Sequence, residues 1–412
     1  MFKKNRHFSR CVSGVLGVLV LAWGIYAQSF ERDDLVLRLE PEIRKMMLEG
    51  NIPSATIALV SGDRVVYTGA CGYSNLWART PAVPSTVYLI GSTYKTMSMV
   101  ALLQQMEQGK FKLDDRVNDY LDEFKIQGED PENPVTFRHL LTHTSGLPGD
   151  FGPHRVWGKT VPPPLKDYLQ ESLKLSHPTL SKTVYSNMAY TLIGYLVEKF
   201  SGMEYEKYIQ EYIFDPVEMT DTAFQPRPDM EERLAIQYMY DEKVKAQRPV
   251  ERLKADVWPA GIVYGTIKDQ ANWLIANLNG GMFKGKRLIS EETFKKIMKR
   301  QYDKFTGPIS AGWLNETTGF GLTWWMSERK DDTLFAHSGS VTGFTAFLVG
   351  NLDKKIGMAI LTNGTRAHAF LFKLAVKALD ILENLQLQPK KTANFDLEKY
   401  EGGLSIRMNH PK

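Results

Sequence analysis

Ser92 and Lys95 stand three residues apart in the stretch YLIGSTYKTMSMV, residues 88–100. Residues at that spacing share a helix face, so the lysine amine can reach the serine hydroxyl. A neutral amine beside a hydroxyl is a base beside a nucleophile, and a helix N-terminus adds backbone N–H donors for an oxyanion. The plainer reading makes Ser92 a helix N-cap, its hydroxyl accepting from a backbone N–H two or three residues on. Lys95 fits that reading badly. The third position after a cap favours Glu or Gln, and a cation there opposes the helix dipole at a cost of roughly 0.3–1 kcal/mol. Desolvation and the same dipole lower an amine's pKa, which keeps it neutral and basic.

The Ser-x-x-Lys spacing is weak by itself, and Ser327–Lys330 repeats it in a charged, turn-like stretch with no helix after it. Two further groups add weight. Tyr185 and Asn187 in VYSNMAY are two apart, which points them the same way on extended backbone. A phenol can relay a proton, and an amide can hold a substrate carbonyl or the lysine. Tyr73-Ser74-Asn75 repeats that pattern at a strand end. In AHSGSVTGF, His337, Gly339 and Ser340 fall on a late strand, where a glycine marks close approach of backbone or ligand.

Other constellations lack an element that their chemistry needs. His139 and His143 are four apart, but Leu140 replaces the Glu of a zinc-hydrolase helix, so both are read as structural. No serine occupies the G-x-S-x-G frame of an α/β-hydrolase. A triad with His337 as base to Ser92 is the competing arrangement. Phe151, Trp157, Tyr264, Trp313 and Phe344 are candidate pocket aromatics, each read singly as core.

The elements that must position these residues follow from periodicity. A helix is expected over 34–49, strands over 54–60 and 65–73, and a helix over 93–107. Met99, Leu102, Leu103 and Met106 form one face of that second helix. From about 114 to 255 helices and long loops dominate, including an amphipathic helix over 188–200. Strand-like runs return at 333–351 and 355–364, and a helix over 367–385 follows. Strands at both ends imply one sheet built from both chain ends, with residues 32–115 and 256–385 in an α/β domain. Residues 116–255 are expected to form an inserted helical domain, with a cleft at the junction. Residues 386–412 read as a polar tail.

Of the 412 residues, 43% are hydrophobic and 24% charged, an ordinary globular balance. The first 27 residues differ: a basic start, an apolar run over 12–27, then polar QSFERDD, the order of a secretory signal peptide or an N-terminal anchor. Removing them takes four of the 51 basic residues and none of the 47 acidic ones, so the net charge of +4 belongs to the leader. A nucleic-acid partner is therefore not expected. Export to the periplasm or medium is expected, with membrane contact only if the leader stays. Cys71 alone remains beyond the leader, which excludes an internal disulfide and a cysteine-based metal site.

Taken in order, Ser92–Lys95, Tyr185–Asn187 and His337–Gly339 resemble the motifs of the serine β-lactamase and penicillin-binding protein superfamily. The likeness is to its class C β-lactamase-like branch, with DD-peptidases, D-aminopeptidases and esterases. RHLLTHTSGLPG (138–149), PAGIVYGTIKDQANW (259–273) and GFGLTWW (319–325) also look like that family, and the likeness spans about residues 32–385. It implies an α/β fold, an antiparallel sheet flanked by helices with an inserted all-helical domain and the site between them. It also implies Ser92 as the acylated nucleophile, with Lys95 and Tyr185 sharing proton transfer in an order left open. Asn187 would orient Lys95 and the substrate, His337 and Gly339 would line the opposite wall, and the backbone N–H groups of Ser92 and Ser340 would form the oxyanion hole. The family order dismisses Tyr73 and Ser327.

His337 stands where β-lactamases carry the lysine of K-T-G, which helps bind an anionic group, whereas histidine is mostly neutral at pH 7. Asn363 and Arg366 are read as caps or as an alternative anion contact. The implied function is an exported serine hydrolase acting on a small ester or amide. D-aminopeptidase, DD-carboxypeptidase, β-lactamase and a non-turnover binding protein on the same scaffold are the alternatives. No cofactor and no metal are expected; the partner is a small-molecule ester, amide or D-peptide.

Overall fold

The computed structural model describes residues 35, 37–149, 155–157, 164–251, 253–255, 258–302, 319–329 and 331–385. The leader and the polar tail lie outside the described residues. A first helix, α1, covers 37–50. It leads into β1 (Ser54–Ser61) and β2 (Arg64–Asn75), with β3 (Thr80–Pro81) at the sheet edge. The C-terminal part supplies β4 (Gly319–Phe320), β5 (Trp325–Arg329), β6 (Asp332–Val341), β7 (Phe344–Asn351) and β8 (Ile356–Thr362). These form one antiparallel sheet in the order β4-β5-β6-β7-β8-β1-β2-β3. β1 is thus central, pairing Ala55 with Thr362 of β8 and with Cys71 of β2.

Side-chain alternation along the strands explains why both faces are covered. Ile57 and Leu59 of β1, Met358 and Ile360 of β8 and Phe347 and Val349 of β7 pack under α1 and the last helix. That last helix, α5, covers His368–Leu385. Ala58, Val60, Ala359, Leu361, Ala346 and Leu348 face the other way, into a second core. α2 (Lys95–Glu107) and α4 (Ile267–Leu278) join that core, as does α3 (Asn187–Ser201). Each fully buried Leu or Ile adds roughly 1.5–3 kcal/mol of transfer free energy, so strands buried on both faces anchor the molecule. No described helix is long and apolar enough to cross a membrane.

Residues 116–255 hold α3 and several shorter helices, and also two small antiparallel ladders absent from the helical expectation. Arg155–Trp157 pairs with Leu253–Ala255, and Tyr238–Asp241 with Ala246–Pro249. Strands of three or four residues carry too few alternations to register as a period-2 signal. A third ladder, Tyr88–Leu89 with Tyr264–Gly265, is small but positional. With the Ile90 N–H donating to Val263 O at 2.9 Å, it lays the chain before Ser92 alongside residues 260–265.

Candidate active site

Ser92 is not a helix cap. It is the second residue of a 3-10 turn, Gly91–Tyr94, that runs directly into α2, and the turn's N-cap position belongs to Ile90 without a side-chain bond. Gly91 starts the turn at a φ of 55°, a left-handed conformation that costs a side-chain-bearing residue roughly 1–2 kcal/mol. The result places Ser92 half-buried at the head of α2 and Lys95 fully buried at its first residue.

Lys95 Nζ lies 3.0 Å from Ser92 Oγ and 2.8 Å from Asn187 Oδ1, and it also donates to the Ala260 carbonyl. The Tyr185 and Tyr190 ring faces lie 4.9 and 5.3 Å from the amine. Burial holds the amine well below the usual lysine pKa, and no carboxylate opposes that among the described residues.

Tyr185 and Asn187 arrive together because Ser186 caps α3, its Oγ accepting from the Ala189 N–H at 3.0 Å. Asn187 Nδ2 donates to Gly149 O at 3.0 Å, which turns the amide oxygen toward Lys95. The Tyr185 hydroxyl is buried and has no hydrogen-bond partner among the described residues. Burial pushes its phenol pKa upward, opposed by the neighbouring Ser92 side chain, so the phenol keeps its proton.

The opposite wall is β6. His337 is fully buried, its Nδ1 donating to Ser338 O at 2.7 Å and its ring stacked on Trp325 with centroids 5.3 Å apart. That tautomer leaves Nε2 as an unpartnered acceptor. Burial lowers the imidazole pKa to about 3. Two residues on, Gly339 presses against the Ser92 turn: a Cβ there would sit 2.1 Å from Ile90 O and 3.0 Å from Ser92 N. Ser340 follows, exposed, with its N 2.9 Å from where a Cβ on Gly91 would lie. Gly261, at a φ of 143°, closes in from the other side, 2.8 Å from Gly91 O by the same measure. Three glycines from distant parts of the chain thus seat the turn on bare backbone.

Ser92, Lys95, Tyr185, Asn187, His337, Gly339 and Ser340 are therefore brought to one place. Sequence reasoning missed the Ala260 carbonyl and the part played by His143, whose Nδ1 accepts from Ser186 N at 3.0 Å. Gly261 had a signal, lying in the stretch PAGIVYG. The competing groups are structural or lie elsewhere. His139 completes a capping box with Thr136. Asn75 Oδ1 accepts from Trp77 N and Ala78 N in a turn. Ser327 sits within β5 rather than in a turn, and Lys330 is outside the described residues.

Asn363 bonds Ser54 and the carbonyls of Tyr73, Ser74 and Ile236, and Arg366 pairs with Glu242 over the Tyr240 ring, so neither is an anion contact of this site. Tyr264 and Phe344 are core; the side chains of Phe151, Trp157 and Trp313 are outside the described ones.

The family model described as Beta-lactamase matches residues 39–383. The chain belongs to that family, within the serine β-lactamase and penicillin-binding protein superfamily of serine hydrolases. It is similar to protein flp of Staphylococcus aureus (strain MRSA252), 24% identical over 337 residues, covering 80% of this chain and 63% of that protein. It therefore spans a little under two thirds of that relative's length. It is also similar to penicillin-binding protein 4* of Bacillus subtilis (strain 168), 25% identical over 325 residues, 75% of this chain and 68% of that one. Among solved structures, the octameric penicillin-binding protein homologue from Pyrococcus abyssi superimposes with a TM-score of 0.68 at 26% identity, covering 85% of this chain and 78% of that chain.

Proposed function

We propose that this chain is an exported serine hydrolase that turns over small esters or amides through an acyl-enzyme on Ser92. The observation that carries the reading is the Lys95 amine, fully buried, its pKa held well below the usual lysine value by desolvation, and 3.0 Å from Ser92 Oγ. A neutral amine has two N–H bonds and one lone pair. Asn187 Oδ1 and Ala260 O take the two N–H bonds, leaving the lone pair for the Ser92 proton.

Ser92 Oγ then attacks the substrate carbonyl carbon as its proton passes to Lys95. The oxyanion is held by the Ser92 and Ser340 N–H groups. The carbon–heteroatom bond breaks, and the leaving alcohol or amine takes a proton through the Tyr185 hydroxyl, which Lys95 replenishes. Water repeats the sequence on the acyl-enzyme and releases the acid. His337 contributes a neutral wall, which favours uncharged esters and amides over ligands that need a cation. The penicillin-binding protein relatives favour a D-peptide as the second reading. Residues 1–27 are proposed to direct export.

The test is a substrate panel on the chain beginning at Gln28: p-nitrophenyl butyrate, a D-Ala-D-Ala peptide, a D-aminoacyl amide and a chromogenic cephalosporin. Ester turnover with fluorophosphonate labelling of Ser92 is expected, both lost in Ser92→Ala. Lys95→Arg is expected to lose about 10²–10⁴-fold, since a guanidinium stays charged and cannot accept the proton. Absence of both turnover and labelling removes the enzyme reading. Labelling without release supports a non-turnover binder, and activity surviving in Ser92→Ala moves the nucleophile elsewhere. Exported protein still carrying residues 1–27 supports an anchor instead of a cleaved leader.

A further inference from the structure

The Tyr185–Asn187 turn is held from outside, by residues 143–149. Val184 N donates to His143 O at 2.9 Å, and Ser186 N donates to His143 Nδ1 at 3.0 Å. Ser186 Oγ donates to Pro148 O at 2.8 Å, and Asn187 Nδ2 to Gly149 O at 3.0 Å. A Cβ on Gly149 would come within 2.7 Å of Tyr185 O, so the two segments lie backbone to backbone.

His143 is the unusual member of this clamp. It is fully buried and adopts a φ of 59°, in the left-handed region that few side-chain-bearing residues enter. Its ring lies 4.3 Å from the Tyr185 ring at 32°, 5.3 Å from Tyr190, and edge-on to Phe320 at 5.6 Å. Because Nδ1 accepts from an amide, the ring proton is on Nε2, which is buried and without a partner among the described residues. An unpaired buried donor is costly. The reason for a histidine here is therefore its Nδ1 acceptor and its flat face. Lys95, His337, Tyr185 and Tyr190 are the titratable groups around it, and burial lowers the pKa of the ring.

We propose that His143 is a positioning residue: its Nδ1 and ring face set the Tyr185 hydroxyl and the Asn187 amide oxygen, and through Asn187 the Lys95 amine, against Ser92. This rests on the acyl-transfer reading of Ser92. The path is continuous, from Ser186 to its neighbour Asn187, then 2.8 Å to Lys95 Nζ and 3.0 Å to Ser92 Oγ.

Two substitutions separate the acceptor from the ring. His143→Phe keeps the aromatic face and removes the acceptor. His143→Asn keeps an acceptor near the Nδ1 position, tolerates the left-handed backbone and removes the ring. For His143→Phe, p-nitrophenyl butyrate hydrolysis is expected to lose about 10²-fold in kcat with KM nearly unchanged, as misplacement by about 1 Å does. His143→Asn is expected to recover at least tenfold of that loss, with both variants assayed well below their own melting temperatures.

In the wild-type chain, ¹⁵N NMR is expected to show an unprotonated Nδ1 and a protonated Nε2 throughout about pH 5–8. His143→Phe turning over at the wild-type rate, His143→Asn faring no better than His143→Phe, or losses that merely follow melting would each overturn the proposal. A titrating or Nδ1-protonated His143 overturns it without reference to catalysis. A wild type that neither hydrolyses nor is labelled removes the Ser92 reading, and catalytic positioning with it. The NMR result still decides whether His143 holds the turn.

Discussion

Asn187 Oδ1 lies 2.8 Å from Lys95 Nζ, and the nitrogen of the same amide is tied to Gly149 O at 3.0 Å. The second bond decides which end of the amide faces the lysine. A neutral acceptor there orients an amine N–H without bringing a charge that would stabilise the ammonium. Orientation and basicity are thereby separated: neighbours aim the amine, and burial lowers its pKa.

Asn187→Asp joins what the site keeps apart. A carboxylate at hydrogen-bond distance favours the charged lysine, so the depressed Lys95 pKa rises. At any pH below the new value less of the amine is a base. The acid limb of kcat/KM for p-nitrophenyl butyrate should therefore move to higher pH. A limb that stays in place would assign it to a group other than Lys95.

Gly339→Ala tests the seat of the Ser92 turn. The added Cβ would meet Ile90 O at 2.1 Å and Ser92 N at 3.0 Å, both backbone atoms that move only with the turn itself. Fluorophosphonate labelling of Ser92 should slow on the order of 10²-fold. Gly109→Ala is the control: φ is 76° and the space around it is open, so strain of roughly 1–2 kcal/mol should lower melting and leave labelling alone. Equal labelling rates in the two variants would remove the seat from the account.

Asp269 gives a pH dependence of stability. Its Oδ2 accepts from Asp221 N and Thr222 Oγ1, both at 2.8 Å, while Oδ1 is buried without a partner among the described residues. Burial raises this carboxyl to about 6. The fold thus favours the protonated form, whose contribution is complete below the unfolded value near ~3.9. It is lost as pH rises through about 6. Asp269→Asn can accept the same two bonds and has nothing to titrate. Relative to wild type it should gain stability between about pH 4 and 7, at most on the order of 3 kcal/mol. A difference that is flat across that range would exclude the shift.

What could be read in advance divides by the kind of atom involved. Ser92, Lys95, Tyr185, Asn187 and His337 are visible because their chemistry resides in side chains whose types and short spacings are written in the chain. The Ala260 carbonyl is not, because every residue has one and only the ladder Tyr88–Leu89 with Tyr264–Gly265 brings this one near. His143 was passed over for a related reason, since its Nδ1 serves an amide 43 residues away. The cap reading of Ser92, already set against Lys95 in the sequence, fails in the structure because the left-handed Gly91 before it starts a 3-10 turn in place of the expected α-helical start. The long sheet strands were plain as apolar-rich runs, buried along most of their length on both faces.

The pairing of β1 with β8 has a consequence for biosynthesis. Ala55 has its partner Thr362 almost at the far end of the described chain, and the Ser92 turn rests on Gly339. Contacts so distant in sequence require a long loop to close before they return any stabilisation, which slows folding. An N-terminal fragment can hold Ser92, Lys95, Tyr185 and Asn187 and still have no floor beneath the turn. A nascent or prematurely ended polypeptide therefore carries those side chains in an open, unassembled state. Assembly of the pocket waits for β6 and β8, which supply Gly339 and Thr362.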